Sequence, residues 1–425
     1  MRALAALFLL LLGAARAPEC VGAVCNFDTL SPWFAKVVQA ERMPGRVPLH
    51  ILQIGDSHTA GDVTTSGWRT LLRARFGSGG RGVLAPGRPY NGYLTQGVTA
   101  SMSPGWSVAA SFGKGSALPR PPLGVASYSL TADMAGSRLG LTADDADDTF
   151  DRVVVCALQA PGAGGVTIDL GDGLPVHLAL DAMVTTPKCE TVRSVGLRSA
   201  VSIVTDGGPV TLTSIATFRD GGGVVLSNLG VVGSQLSHFA RTSDAVVAEE
   251  LRVYRPDLIV LAFGTNEGFS PRFDATAYAV LLAGQIGRLR RLSGGVPILL
   301  LGAPDALSRQ PALRFNADEI AVGCPETPAA LVPVASIGVV TAPLVRAPLF
   351  APPGLAAVRD VQRMVAWQVG VAWWDWQARM GGACAAQKWV AGDLMRRDYV
   401  HFKSAGGRII ARALQDDLDV ASGIR

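Results

Sequence analysis

The 425-residue chain has no Cys-x-x-Cys pair, and its five histidines, at 50, 58, 177, 238 and 401, form no ligand-spaced pair, so a zinc-type centre has little sequence support. It also lacks any run of like charge. The 38 Lys and Arg and 34 Asp and Glu are scattered, leaving a formal charge of +4 and a pI near 8.8. That balance argues against nucleic-acid binding and allows only a mild preference for anionic polymers. Beyond the N-terminus no apolar run is long enough for a transmembrane helix, and there is neither an internal repeat nor a low-complexity linker. What remains is rich in core-forming residues: 49% are hydrophobic and 49 are glycine. Such a chain buries at least one substantial core and is long enough for two domains.

The first residues, Met1-Arg2-Ala3, lead into an apolar stretch from Leu4 to Leu12 and then the small residues Ala14, Ala15 and Ala17. This is the pattern of a secretory signal peptide over 1–17, with Pro18 directly after the Ala15-Arg16-Ala17 site. The expected location is outside the cytoplasm: periplasmic, cell-envelope associated or secreted, with no transmembrane anchor after cleavage. Cys20, Cys25, Cys156, Cys189, Cys324 and Cys384 are even in number and fit an oxidising compartment. Stapling is the expected role, with metal binding the alternative; sequence does not fix the connectivity, and pairing of neighbours along the chain is the expectation.

Leu49 to Ile54 forms an apolar run ending at Gly55, after which Trp68, Leu71, Leu72 and Phe76 recur at helical spacing, so Ser57 falls on a strand-to-helix turn. The alternation resumes with a strand at Val224-Val225-Leu226, a helix through Leu236 to Tyr254, a strand over Leu258 to Phe263 and an amphipathic helix through Tyr278, Leu282, Ile286 and Leu289. A strand over Val296 to Leu301, a helix carrying Val358, Val361 and Val365, a short Val371-Ala372-Trp373 strand and a last helix with Ile409, Ile410, Leu414 and Leu418 follow. This rhythm predicts a doubly wound, mostly parallel α/β sheet over 26–99 and 224–425. Between 100 and 223 short runs such as Arg152-Val153-Val154-Val155, Val166-Thr167-Ile168, His177-Leu178, Val201-Ser202-Ile203 and Val210-Thr211-Leu212 are split by Gly, Asp and Pro. They predict an inserted all-β, sandwich-like domain whose two ends lie close together.

Four blocks fall at successive strand ends. Gly55-Asp56-Ser57-His58 supplies a hydroxyl; alone it is equally a helix cap. Asn228-Leu229-Gly230-Val231-Val232-Gly233-Ser234 supplies glycines where backbone can approach a ligand. Phe263-Gly264-Thr265-Asn266-Glu267 supplies an amide, or an Asn-stabilised turn. Asp398-Tyr399-Val400-His401 supplies the carboxylate and imidazole that a weakly nucleophilic serine needs, although a three-residue offset is also that of a structural contact. Gly77-Ser78-Gly79-Gly80-Arg81-Gly82 satisfies G-x-G-x-x-G but follows a helix, so it reads as a turn or rim loop rather than a dinucleotide loop.

Taken together, Gly55-Asp56-Ser57, Gly233, Gly264-x-Asn266 and Asp398-x-x-His401 resemble the four blocks of the SGNH (GDSL-type) hydrolases, whose fold is flavodoxin-like. The resemblance implies Ser57 as nucleophile, His401 as general base and acid and Asp398 as its orienting partner. The Ser57 and Gly233 N–H groups and the Asn266 amide would form an oxyanion hole. His after Ser57 and Glu after Asn266 look like the branch containing peptidoglycan O-acetylesterases, which also carries a β-rich insertion resembling a carbohydrate-binding module. That branch implies a carboxylic ester hydrolase acting on an O-acetylated polysaccharide, above all the 6-O-acetyl of N-acetylmuramoyl residues, with no metal or organic cofactor. An O-acetyltransferase, an acetylxylan-type esterase and a non-catalytic polysaccharide-binding protein are the alternatives. Trp106, Phe112 and Tyr128 are either sugar-stacking or core aromatics, and His58 and Glu267 either rim or structural residues.

Overall fold

The strand Pro48–Gly55, buried from Leu49 onward, is the centre around which the chain is wound. The computed structural model describes residues 19–93, 95–309, 323–324 and 349–423; the expected leader over 1–17 lies outside them. Pro48–Gly55 pairs in parallel with Gly223–Gly230 on one side and Leu258–Ala262 on the other. Ile298–Leu301 and Ala372–Trp374 continue the parallel sheet. In chain order these parallel strands stand 2-1-3-4-5, the flavodoxin-like order that the family resemblance implies. One edge carries an addition that the sequence did not signal: the hairpin Cys20–Val21 and Val24–Cys25, antiparallel to Ala372–Trp374, completes a seven-stranded sheet.

Helices cover both faces, which is why the strands read as unbroken apolar runs. Ser31–Arg42, Val63–Phe76 and Ser404–Ser422 bury Trp33, Trp68 and Leu414 against one face, together with Leu49, Ile51 and Val260. Asp244–Tyr254, Ala275–Ser293 and Pro353–Val369 bury Leu251, Ile286 and Val361 against the other, with Leu52, Ile54 and Leu261. The helix expected from Leu236 to Tyr254 is broken into Leu236–Phe239 and Asp244–Tyr254. The intervening Thr242 spends its hydroxyl on the Phe239 carbonyl, and Arg288 donates to both the Thr242 carbonyl and hydroxyl. Short polar side chains that bond locally compete with a continuous helix.

Between Val98 and Phe218 the chain leaves the parallel sheet and builds two antiparallel sheets, as expected of the insertion. Leu130, Phe150, Val155 and Ile215 from one sheet meet Leu141, Ile168, Leu178 and Ile203 from the other in a separate core. Strands such as Val98–Met102 and Thr186–Arg198 are largely half-exposed or exposed and contain Ser, Thr or Gly among their apolar residues, so they present no apolar run in the sequence. The two ends of the excursion touch. Gly79 N–H donates to Val224 O at 2.9 Å, and Arg219 N–H donates to Gly79 O at 2.7 Å. The disulfides join Cys20 to Cys25, Cys156 to Cys189 and Cys324 to Cys384, each cysteine paired with its neighbour along the chain; Cys156 and Cys189 face each other across adjacent strands.

A buried carboxylate fastens the sandwich to the α/β core. Glu250, on Asp244–Tyr254, is fully buried and accepts from Val125 N–H at 2.6 Å, from the Thr213 hydroxyl at 2.7 Å and from the Ser214 hydroxyl. Burial raises its pKa, and these donors only partly oppose the shift. Replacing Glu250 with Ala strands those donors, and each unsatisfied group costs about 1–3 kcal/mol. Glu250→Ala is expected to lower unfolding stability by about 3 kcal/mol, read as a shift in the urea midpoint. Glu250→Gln, which keeps an acceptor oxygen, is expected to lose less; an unshifted Ala midpoint would sink the assignment.

Candidate active site

Ser57 sits at the first turn after the central strand, where Asp56 caps the short helix Ser57–Ala60 by accepting from His58 N–H at 2.9 Å. The bend is tight. A Cβ at Gly55 would lie 2.3 Å from the Thr59 hydroxyl and 2.5 Å from the Ala262 carbonyl, so only glycine passes there. The turn lies at the carboxyl end of the sheet, between the first and third parallel strands, the topological switch point where open α/β folds bind ligands.

The Asp398–His401 loop arrives from the other end of the sequence. His401 Nε2 lies 3.0 Å from Ser57 Oγ, and His401 Nδ1 lies 2.9 Å from Asp398 Oδ2. The other Asp398 oxygen accepts from Val400 N–H at 2.9 Å and His401 N–H at 3.0 Å. Partial burial pushes the Asp398 pKa up, but the His401 and Val400 N–H groups and the His401 ring outweigh it and hold the carboxyl below its ordinary value. Tyr399 adopts φ 60°, which lets the loop turn back so that Arg396 N–H reaches the His401 carbonyl at 2.7 Å. The hydroxyl, imidazole and carboxylate thus form a continuous relay. Such a relay can transfer a serine proton and support acyl chemistry.

The two remaining blocks are stitched to this turn by hydrogen bonds. Val231 N–H donates to Gly55 O at 3.1 Å, and Asp56 N–H donates to Ala262 O at 3.3 Å. Asn266 Nδ2 donates to the Ser234 carbonyl at 2.8 Å, which occupies one of its amide hydrogens. Gln235 Nε2 returns a bond to the Asn266 carbonyl at 3.1 Å. Gly233 takes φ 76°, and a Cβ there would lie 3.0 Å from Phe112 Cε1 of the insertion. Among the described residues its N–H meets no acceptor.

The structure gives structural roles to several residues around the site, some of them, such as Asp62 and Arg69, without any signal in the sequence. Glu267 is buried and accepts from Leu236 N–H at 2.7 Å and Gly264 N–H at 3.0 Å, clamping the second block to the third; burial pushes its pKa up to about 7. Asp62, wholly buried, gathers Arg69 and Arg81, and both arginines also donate to Asn228 Oδ1. Arg81 of the Gly-rich stretch is therefore a buried tie between Asp62 at the start of Val63–Phe76, Asn228 of the second block and the Thr95-Gln96 segment that leads into the insertion. Phe112 stacks on His238 with centroids 4.3 Å apart, so the insertion forms the wall beside Gly233. Tyr128 is a buried neighbour of Tyr90, and Trp106 donates from Nε1 to the Arg138 carbonyl at 3.3 Å.

The relay opens into a cleft of about 220 Å³ bordered by Ser57, His401, Ala60, Tyr90, Val232 and Arg396. Its wall is largely apolar. Among the described residues no group of three or more His, Cys, Asp or Glu could hold a metal ion, and no helix is long and apolar enough to cross a membrane. Ser57 is expected to be labelled stoichiometrically by a fluorophosphonate serine probe, with mass spectrometry locating the adduct. His401→Ala is expected to slow labelling at least about 100-fold; labelling that is indifferent to His401 would show that the relay does not activate the hydroxyl.

No family model matches the sequence, and no curated protein matches it. Among solved structures, a peptidoglycan O-acetylesterase superposes with a TM-score of 0.72 over 95% of this chain and 100% of its own, at 23% identity. A family two carbohydrate esterase from Cellvibrio japonicus is matched over 77% of this chain and 98% of its own at 15% identity, with a TM-score of only 0.29. A salicylyl-acyltransferase from a tetracycline biosynthetic pathway is matched over 79% and 96% at 16% identity, with a TM-score of 0.34. In fold, the chain resembles that peptidoglycan O-acetylesterase over nearly its whole length, and its own architecture is a flavodoxin-like sheet with an inserted β-rich domain.

Proposed function

We propose that this protein is an exported serine esterase that removes O-acetyl groups from a cell-wall polysaccharide, with the 6-O-acetyl of N-acetylmuramoyl residues in peptidoglycan as its substrate. The observation that carries the reading is the Ser57–His401–Asp398 relay, with links of 3.0 and 2.9 Å, at the floor of a small apolar cleft. In this reading Ser57 Oγ attacks the acetyl carbonyl carbon while His401 Nε2 takes the hydroxyl proton. The Ser57 and Gly233 N–H groups and the free hydrogen of the Asn266 amide hold the developing oxyanion. Collapse breaks the bond to the sugar oxygen, which leaves with the proton from His401. Water, deprotonated by His401, then attacks the acetyl-serine and releases acetate, restoring Ser57. Asp398 orients the imidazole and stabilises its charged form without taking a proton.

Two further features support the choice of substrate. The likeness in fold to a peptidoglycan O-acetylesterase spans nearly the whole chain. Arg396 stands at the cleft rim, suited to a polymer that carries carboxylates rather than to a neutral one such as xylan. Three disulfides and a leader-like N-terminus support export.

The purified protein is expected to release acetate from O-acetylated peptidoglycan in preference to acetylated xylan, and Ser57→Ala to lower that rate by at least about 1,000-fold while leaving the unfolding midpoint unchanged. Release chiefly from xylan would move the substrate to a plant polysaccharide. An acetyl group trapped on Ser57 and passed to added sugar rather than to water would make the protein a transferase, and release that survives loss of Ser57 would sink the proposal.

A further inference from the structure

Beside the relay lies a second histidine that the chemistry above leaves unused. His58 is buried at 7% exposure, and its ring lies stacked on that of His401 with centroids 5.5 Å apart and planes 29° apart. Trp376 and Phe402 enclose it edge-on at 5.6 and 5.8 Å. Each ring nitrogen faces an oxygen. Nδ1 lies 3.3 Å from Asp56 Oδ1, and Nε2 lies 3.0 Å from the Val400 carbonyl. A carbonyl oxygen can only accept, and Asp56 Oδ1 already accepts the His58 N–H. A neutral imidazole has one N–H to give, and an imidazolium has two.

We infer that His58 is a positioning residue held as an imidazolium, a charged bolt between the Asp56 turn that carries Ser57 and the Val400 carbonyl of the loop that carries His401. This inference deepens the esterase reading and rests on it for the role of His401. The bolt fixes the two halves of the relay, 344 positions apart in sequence, from the wall of the cleft that Ser57 and His401 share with it. The titratable groups facing the ring are Asp56 on its own turn and Asp398 and His401 on the opposing loop; the packing from Trp376 and Phe402 is uncharged. Burial alone lowers the His58 pKa, but the bond and charge of Asp56, the Val400 carbonyl and the charge of Asp398 outweigh it and raise it above its ordinary value. The sign follows from linkage. A histidine whose folded pKa is raised contributes fully below its ordinary value of about 6.5, and that contribution is lost as pH rises through the folded value. The bolt therefore loosens on the alkaline side.

The test is ¹⁵N-histidine NMR of the wild-type protein across about pH 5 to 9, alongside steady-state hydrolysis of a small soluble acetyl ester. Protons on both His58 nitrogens at neutral pH, with their alkaline loss tracking a fall in kcat, are expected. His58→Gln is expected to lower kcat about 10- to 100-fold with KM changed less than about twofold, and to lack that alkaline limb. A singly protonated His58 at neutral pH, or a His58→Gln variant with wild-type kcat and pH profile, would overturn the inference. The NMR result needs neither turnover nor a folded variant. A wild-type protein that is inert yet shows doubly protonated His58 overturns the esterase reading and leaves the bolt standing.

Discussion

At the end of the central strand three segments pass within hydrogen-bonding distance of one another. Asp56 N–H reaches the Ala262 carbonyl, Val231 N–H reaches the Gly55 carbonyl, and the Thr59 hydroxyl lies where a side chain at position 55 would be. This close passage fixes the turn that carries Ser57 against the two strands flanking it. The second and third blocks then have little freedom, because Glu267 and Asn266 tie them to each other. The sheet order sets which segments can meet there, since only at the switch point do the first, second and third parallel strands release their loops toward a common crevice.

The charged groups around the site divide by exposure. Asp398 and His401 remain partly exposed, with side-chain exposures of 43% and 34%, and can meet solvent and substrate. Asp62, Arg81, Glu250 and Glu267 are buried, and each makes several hydrogen bonds. A buried ion pair gives weak net stability, but removing one partner strands the other. Such groups hold register among loops that have no secondary structure of their own to do so.

The α/β frame and the blocks of Ser57, Gly233 and Asn266 were legible because apolar runs of strand length end in short blocks of chemically distinctive residues. Asp398-x-x-His401, expected at a strand end like the others, lies instead in a loop between the helices Ala385–Ala391 and Ser404–Ser422 and was legible only by its residue types. The fold resemblance also spans the insertion, whose existence was visible in the change of texture near residue 100. The buried charges were not legible. Asp62 meets Arg81 19 positions away and Glu250 meets Val125 125 positions away, so nothing local marks either contact. The break in the helix before Asp244 escaped for a related reason: Thr242 is stabilised by Arg288 on a different helix. The N-terminal hairpin escaped because its strands are two residues each and carry no periodicity to read.

The meeting of the insertion's two ends at Gly79, Val224 and Arg219 has a consequence for how such a protein diversifies. A module whose two ends meet at one place can be lengthened or replaced without reshaping the sheet that receives it. This module is less portable than its joint, because Phe112 walls the crevice at Gly233 and the core's Glu250 is plugged into Val125, Thr213 and Ser214. Exchange of the module alone would leave an empty socket and an open flank. The helix Asp244–Tyr254, the loop at Gly233 and the sandwich therefore form one coupled unit, in which a change in one calls for a matching change in the others.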